Sequence, residues 1–338
     1  MHDIRNPTPF PAQLAPVLDK HGRESAVLAI KGTFAIRDKA DRLAPAEEQA
    51  PLVVADEWNG DPENGSLKYQ SDLSARKPGT DVSLLGHAYA HGPDKTTVDV
   101  ALKVGGLSKT LRVFGDRVWF KALGFWVPSE ARPFDKMPLV YEKAFGGVDE
   151  SHENPKKHAR ERRNPVGTGF VTAGKDGLRE DMPLPNIEDP KDLITGADEK
   201  PAPAGFGLIP GHWLPRAGFA GTYDEAWRKN RFPLLPADFD ERFHQAGAPG
   251  LVSVAKLGGG EPVRYLNLAE DRDVSFALPK RNFKVTASLK GKPGTYPALL
   301  DSVVIEPDAG RIMLTWKAVI PCNRDFLYLD RIRIAEAA

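Results

Sequence analysis

VDVALKVGGLSKTLRVFGDRVWFK, residues 98–121, is the stretch that decides the fold class. Val98, Val100, Leu102 and Val104 alternate with Asp99, Ala101 and Lys103, the two-residue period of a strand with one apolar face. Gly105-Gly106 supplies a two-residue turn, after which Leu111 and Val113 resume the alternation. Gly115-Asp116 offers a second turn, so residues 117–121 are expected to complete a three-stranded meander. The same period appears in AVLAIKGTFAI, residues 26–36, where Leu28, Ile30, Phe34 and Ile36 oppose Lys31, Thr33 and Arg37. A half-buried strand is expected there, with Gly32 at a bulge or close approach.

Toward the C-terminus the alternation returns. Residues 263–268, 274–278, 284–289 and 300–305 are strand candidates. Residues 311–320 are stronger, because Ile312, Leu314, Trp316 and Ala318 share one parity behind the turn Pro307-Asp308-Ala309-Gly310. Residues 128–250 differ: they hold 15 of the 30 prolines and little periodicity. Tyr141, Phe145, Phe170, Phe206, Trp213, Phe219, Tyr223 and Trp227 are too many aromatics for a solvated linker. Only residues 187–204 read as a mobile loop. The expectation is a mainly β fold of antiparallel, sandwich-like sheets with a long loop-rich centre and a few short helices. Residues 1–338 form one unit with an N-terminal β lobe (1–127), a loop-rich aromatic centre (128–250) and a C-terminal β lobe (251–338). The pattern is compatible with one domain or two.

Composition narrows the function classes. Lys plus Arg and Asp plus Glu number 46 each, so no overall field favours nucleic acid or an anionic membrane. The lone cysteine, Cys322, forms no internal disulfide and excludes a cysteine-rich zinc cluster. The N-terminus lacks a signal-peptide pattern and no window nears the ~20 apolar residues of a membrane span. A cytoplasmic protein without membrane insertion is expected.

No catalytic grouping in the chain is strong. His152-Glu153 and His158 are spaced HExxxxH, which does not place both imidazoles on one helical face. Lys156, Lys157, Arg160, Arg162 and Arg163 form a basic run suited to phosphate or an acidic partner, or simply a solvated loop. Gly258-Gly259-Gly260 lacks the spacing of a dinucleotide-binding fingerprint, Gly291-Lys292 lacks the earlier glycine and following Ser or Thr of a phosphate loop, and both read as turns. No metal, cofactor or catalytic set is expected. Asp238 and Asp240 are the one acidic pair that could serve a hydrolase of carbohydrate or cell-wall material, in a cleft with Tyr223 and Trp227. N-capping by Asp240 is the simpler role.

AGTYDEAWRKNRFPLLPADFD, residues 220–240, combines a Thr222/Glu225 capping-box spacing with Pro233 and Pro236, which stop the helix early. Its aromatics and arginines point to recognition. The candidate partner-binding residues are Tyr141, Phe145, Trp213, Arg216, Tyr223, Trp227, Arg231, Phe232 and Phe239, of types enriched at binding hot spots. Most central aromatics would equally serve a core.

An ordered set of segments carries a resemblance. It runs Lys31-Gly32-Thr33-Phe34, Ser71-Asp72, Lys77-Pro78-Gly79-Thr80-Asp81-Val82, Gly115-Asp116-Arg117 with Trp119, and Met137-Pro138-Leu139. It continues through Tyr141-Glu142-Lys143-Ala144-Phe145-Gly146-Gly147, Asn164-Pro165-Val166-Gly167-Thr168-Gly169-Phe170, Leu184-Pro185-Asn186-Ile187-Glu188 and Trp213-Leu214-Pro215-Arg216. Residues 221–240, Gly259-Gly260-Glu261 and Leu278-Pro279 close it. Over residues 10–290 the chain resembles the bacterial family called domain of unknown function 2169, found in type VI secretion gene clusters. The resemblance implies a non-enzymatic adaptor or chaperone that helps load an effector onto the secretion spike. Its partners would be the effector's N-terminal region and a VgrG or PAAR-type spike protein. A structural spike component, seen as a stable homo-oligomer, is a further alternative.

Overall fold

A computed structural model of the chain describes residues 3–337. With 40% of residues in strands and 8% in helices, the fold is mainly β. The hairpin of residues 98–113 forms as its alternation requires: Thr97–Val104 and Leu107–Phe114 pair antiparallel, and Val104 opposes Leu107 across Gly105-Gly106. The expected third strand does not join them. Instead Pro262–Leu266 and then Asp273–Ala277 extend the sheet on one side, and Ile187–Glu188 takes the edge beside Leu107–Phe114.

Arg117 explains the difference. Its guanidinium lies 3.7 Å from the Phe114 ring centre, donates to the Pro185 carbonyl at 2.8 Å and pairs with buried Glu188. These contacts draw residues 185–188 to the sheet edge. Trp119–Ala122 is turned away into a separate hairpin with Phe125–Pro128. The stretch 187–204, expected to be mobile, is therefore anchored. Glu188 also accepts from the Ile194 amide at 2.8 Å, and Ile194 and Ala204 are buried.

The larger sheet is built from both chain ends and curls into a half-barrel. Its order is Ile4–Arg5, Leu329–Ala337, Asn282–Leu289, Lys292–Glu306, Arg311–Pro321, Glu24–Ala35 and Ala12–Leu18. Thr80–Leu84 joins as a parallel neighbour of the second half of Lys292–Glu306, with Val252–Ser253 beyond it. The last fifty residues, which carry none of the resembling segments, thus supply central strands. Leu28, Ile30, Phe34, Ile312, Leu314 and Trp316 face the five-stranded sheet and merge with Val100, Leu102, Leu111, Val113 and Tyr265 in one apolar core.

The opposite face of the Glu24–Ala35 and Arg311–Pro321 strands is not exposed, which corrects the half-buried expectation. Lys31, Thr33, Thr315 and Lys317 are buried under residues of the irregular segments. They belong to a charged layer. Lys31 pairs with Asp72 at 3.0 Å, Lys77 with Asp81 at 2.7 Å, Lys256 with Asp301 at 2.9 Å and Lys317 with Asp301 at 3.0 Å. Asp301 is the extra residue of a bulge between Leu300 and Ser302, which aims its side chain into this layer. Burial alone would raise the Asp301 carboxyl, but Lys317, Lys77 and Lys256 outweigh it and hold it below the usual carboxylate range. Three separate resembling segments, through Lys31, Asp72, Lys77 and Asp81, meet here.

Lys109 has a different environment. Its ammonium donates to the Pro249 carbonyl at 2.8 Å, and burial pushes it down to about 8, with distant Asp189 opposing weakly. The protonated form is thus disfavoured in the folded state. The contribution of Lys109 to stability is least favourable below about pH 8 and recovers as pH rises toward the ordinary lysine value of 10.5. Lys109→Met is expected to be about 1–2 kcal/mol more stable than the parent at pH 7.5. Urea unfolding of both proteins across pH 7.5–10 checks this, because the gap must shrink as pH rises.

Candidate functional site

The segment 220–240 folds back on itself. Gly221 has φ +82°, and a Cβ there would lie 2.7 Å from Pro236. Thr222 donates its amide and hydroxyl to Asp238 at 3.0 and 2.8 Å, closing the loop. This corrects the capping-box expectation. The N-cap of Glu225–Asn230 is Asp224, whose carboxylate accepts from the Trp227 amide at 2.7 Å. The helix stops where expected, ahead of a cis Phe232-Pro233 bond.

Behind the helix the loop is fastened to its neighbours. Arg231 donates to Leu235 O at 2.5 Å and to Lys20 O at 2.6 Å, and the Trp227 indole donates to Leu234 O at 2.9 Å. Lys20 in turn donates to Phe239 O at 3.2 Å. Arg231 and Trp227 are therefore braces as much as surface. In front, Tyr223 and Phe232 meet Trp227 edge to face at 4.7 and 5.8 Å. Tyr223 is 54% and Phe232 67% exposed, so the three rings form an outward platform on a pinned backbone.

The remaining candidates lie elsewhere. Tyr141, Phe145, Trp213, Arg216 and Phe239 are all buried, so they build interior rather than a contact surface. Tyr141 and Trp213 meet edge to face at 5.8 Å within the main core. Phe145 packs in a second apolar cluster with Trp119, Val171, Leu184 and Ile194. Arg216 donates to Phe243 O at 2.7 Å and Ile209 O at 2.9 Å, tying the short helical turns of the centre together. The physical reason is that an irregular centre has no sheet or helix face to bury, so its own aromatics must supply the interior.

The acidic pair is also occupied. Asp238 holds Thr222, while Asp240 caps Glu241–His244 and pairs with Arg242 at 2.6 Å. The hydrogen bonds from Thr222 and from Arg242 hold these carboxyls below their usual range. His152 and His158 close an exposed turn, where His158 Nε2 meets the His152 carbonyl oxygen at 2.9 Å. Among the described residues no group of three or more His, Cys, Asp or Glu could hold a metal ion. Among the described residues no helix is long and apolar enough to cross a membrane. Cys322 is buried.

One exposed surface escaped the sequence reading. In the Trp119–Ala122/Phe125–Pro128 hairpin, Phe120 opposes Val127 and Ala122 opposes Phe125, which places these four on one face. Phe120 is 41% and Phe125 74% exposed, and Leu123 at the turn is 98% exposed. The signal was legible: Leu123-Gly124 is a two-residue turn between two short aromatic runs.

No curated protein and no solved structure gives a significant match to the chain. A family model does match, over residues 21–317, and its description is an uncharacterized protein conserved in bacteria, DUF2169. Because the match spans most of the chain, from the first long strand of the large sheet into the Arg311–Pro321 strand, the chain belongs to the DUF2169 family.

Proposed function

We propose that this protein is a non-enzymatic adaptor of type VI secretion, which binds an effector and helps load it onto a VgrG or PAAR-type spike. The secretion role rests on the resemblance to a family found in type VI gene clusters. The observation that carries the binding role is the Tyr223, Trp227 and Phe232 platform. Large aromatic rings exposed on a pinned backbone lose little entropy when covered, which is the property of binding hot spots. The partner is an apolar segment of the effector, presented as a helix or an extended strand.

The test is capture of the effector and spike proteins encoded beside this chain, in purification and in secretion assays. Tyr223→Ala/Phe232→Ala is expected to weaken effector capture at least tenfold, in line with the ~2 kcal/mol or more of typical hot spots, with little change in Tm because both rings are exposed. Trp227→Ala is expected to do the same with some loss of stability, since the indole also holds Leu234. If the neighbouring proteins neither bind this chain nor need it for secretion, the proposal is wrong.

A further inference from the structure

Residues 267–272 turn the chain from Pro262–Leu266 into Asp273–Ala277, and with residues 307–310 they line an open groove of about 350 Å³. The turn is held in place. Asn267 donates its side-chain amide to Asp99 O at 2.9 Å and accepts from Tyr89 N at 2.9 Å, and Arg272 donates to His91 O at 3.1 Å. Four carboxylates line the groove, Asp38, Glu270, Asp271 and Asp308, and among the described residues no lysine, arginine or histidine lines it. Two of the four have partners. Asp308 accepts from the Tyr89 hydroxyl at 2.5 Å and lies 2.6 Å from His87 Nδ1 and 3.2 Å from the Lys136 ammonium. Asp38 accepts from Ser275 N at 2.9 Å and lies 3.5 Å from the Lys39 ammonium. The carboxylates of Glu270 and Asp271 are exposed and make no ion pair or hydrogen bond among the described residues.

Tyr265 is the second, independent feature. It is only 3% exposed and is fixed in the sheet between Leu102 and Val274, yet it lines the groove. Its hydroxyl has no hydrogen-bond partner among the described residues. Burial, with the charges of Asp271, Asp38 and Asp308 added, pushes that hydroxyl up to about 12, so it faces the groove's carboxylates. A polar group this enclosed calls for a partner. Its oxygen can accept from an N–H donor, and the surrounding negative charge favours a donor that is a cation. Lys136 shows the same chemistry at the other end of the groove, where its ammonium lies 4.7 Å from the Tyr89 ring centre as well as beside Asp308.

We propose that this groove binds an organic cation, an alkylammonium or guanidinium group, with Glu270 and Asp271 as its counter-charges and the Tyr265 hydroxyl as an acceptor. Ile36, Ala269 and Val274 give the carbon stem of such a group an apolar wall. The mouth is open at Gly310, where an added Cβ would meet nothing within 4 Å. Among the described residues no three acidic or imidazole groups converge as a metal ion requires, so the spacing suits a larger cation. The cation is either a free polyamine or a basic side chain of a partner. This site is separate from the aromatic platform and does not depend on the adaptor reading.

Fluorescence anisotropy of the full chain at low salt, with labelled trilysine and labelled triglutamate, tests the proposal. Trilysine is expected to bind and triglutamate not to. Spermidine is expected to displace trilysine at concentrations about tenfold or more below those of magnesium chloride at matched ionic strength. Glu270→Gln/Asp271→Asn is expected to weaken binding about tenfold or more, whereas the exposed pair Glu47→Gln/Glu48→Gln, which lies off the groove, changes it less than about twofold. Tyr265→Phe is expected to weaken it about threefold or more without lowering Tm, because the hydroxyl makes no internal hydrogen bond. Tyr223→Ala/Phe232→Ala leaves it unchanged. Tighter binding of spermidine than of trilysine names a free polyamine as the occupant, and the reverse names a basic side chain of a partner. The proposal is overturned if neither cation binds, if triglutamate binds as well, or if magnesium competes as effectively as spermidine. It is equally overturned if the Glu47 and Glu48 pair matters as much as Glu270 and Asp271, or if Tyr265→Phe binds like the parent.

Discussion

Asp301→Ala is expected to lower stability by about 3–5 kcal/mol, measured as the shift in urea unfolding free energy. Asp301 is fully buried: its Oδ1 accepts from the Lys77 amide and the Lys256 ammonium at 2.9 Å each, and its Oδ2 forms an ion pair with the Lys317 ammonium at 3.0 Å. Removing it leaves buried Lys317 and part-buried Lys256 with only neutral acceptors, in a layer that holds Lys31, Lys77, Lys256 and Lys317 against Asp72, Asp81 and Asp301. Burial already pulls the Lys317 and Lys256 ammonium groups below the ordinary lysine range, and Asp301 is the carboxylate that opposes this for both.

The reverse substitution should behave differently. Lys317→Met leaves Asp301 with Lys256 and the Lys77 amide, removes the surplus cation and keeps an apolar stem of similar length against the sheet. Its cost is expected to be below about 2 kcal/mol, because Asp301 keeps a cationic partner in Lys256 and only the Ser74 oxygens lose a donor. If Lys317→Met proves as damaging as Asp301→Ala, charge balance is not what governs this layer.

The same layer shows how far the sequence could be read. Alternation placed the strands correctly, since Leu28, Ile30, Ile312 and Leu314 do face the core. It misjudged the other parity because a polar residue on a strand says nothing about what covers it. Lys31 and Thr33 are buried by segments about 20 to 280 residues away in sequence, among them those carrying Val53, Asp72 and Thr315. The parallel pairing of Thr80–Leu84 with Lys292–Glu306, Ser302 opposite Asp81, is invisible for the same reason. Within the candidate site, the short helix and its stop were legible from Pro233 and Pro236. The sorting of aromatics was not: Trp213 and Trp227 differ in burial, yet no periodicity distinguishes their positions.

Gly146→Ala is the other substitution expected to have a large effect, at least about 3 kcal/mol in the same unfolding measurement. Gly146 has φ +150°, a conformation that costs any residue with a side chain, and its added Cβ would lie 2.1 Å from the Asn164 carbonyl oxygen. That carbonyl accepts from Gly147 N at 2.8 Å, and the fully buried Asn164 amide donates to Tyr141 O and Phe145 O at 2.8 and 3.0 Å. Relieving the clash must therefore break the contacts that join residues 141–147 to residues 164–169, including the parallel bridge of Phe145–Gly146 with Thr168–Gly169. Gly60→Ala separates the two contributions. Gly60 also has a positive φ, +82°, but a Cβ there meets nothing within 4 Å, so only the backbone term of about 1 kcal/mol is expected. Equal losses in the two variants would mean that the junction yields and that the glycine is required only for its backbone angle. A much larger loss at Gly146 identifies the Tyr141-to-Gly147 segment as a close-packed backbone joint, which is why its glycines leave no room for a side chain.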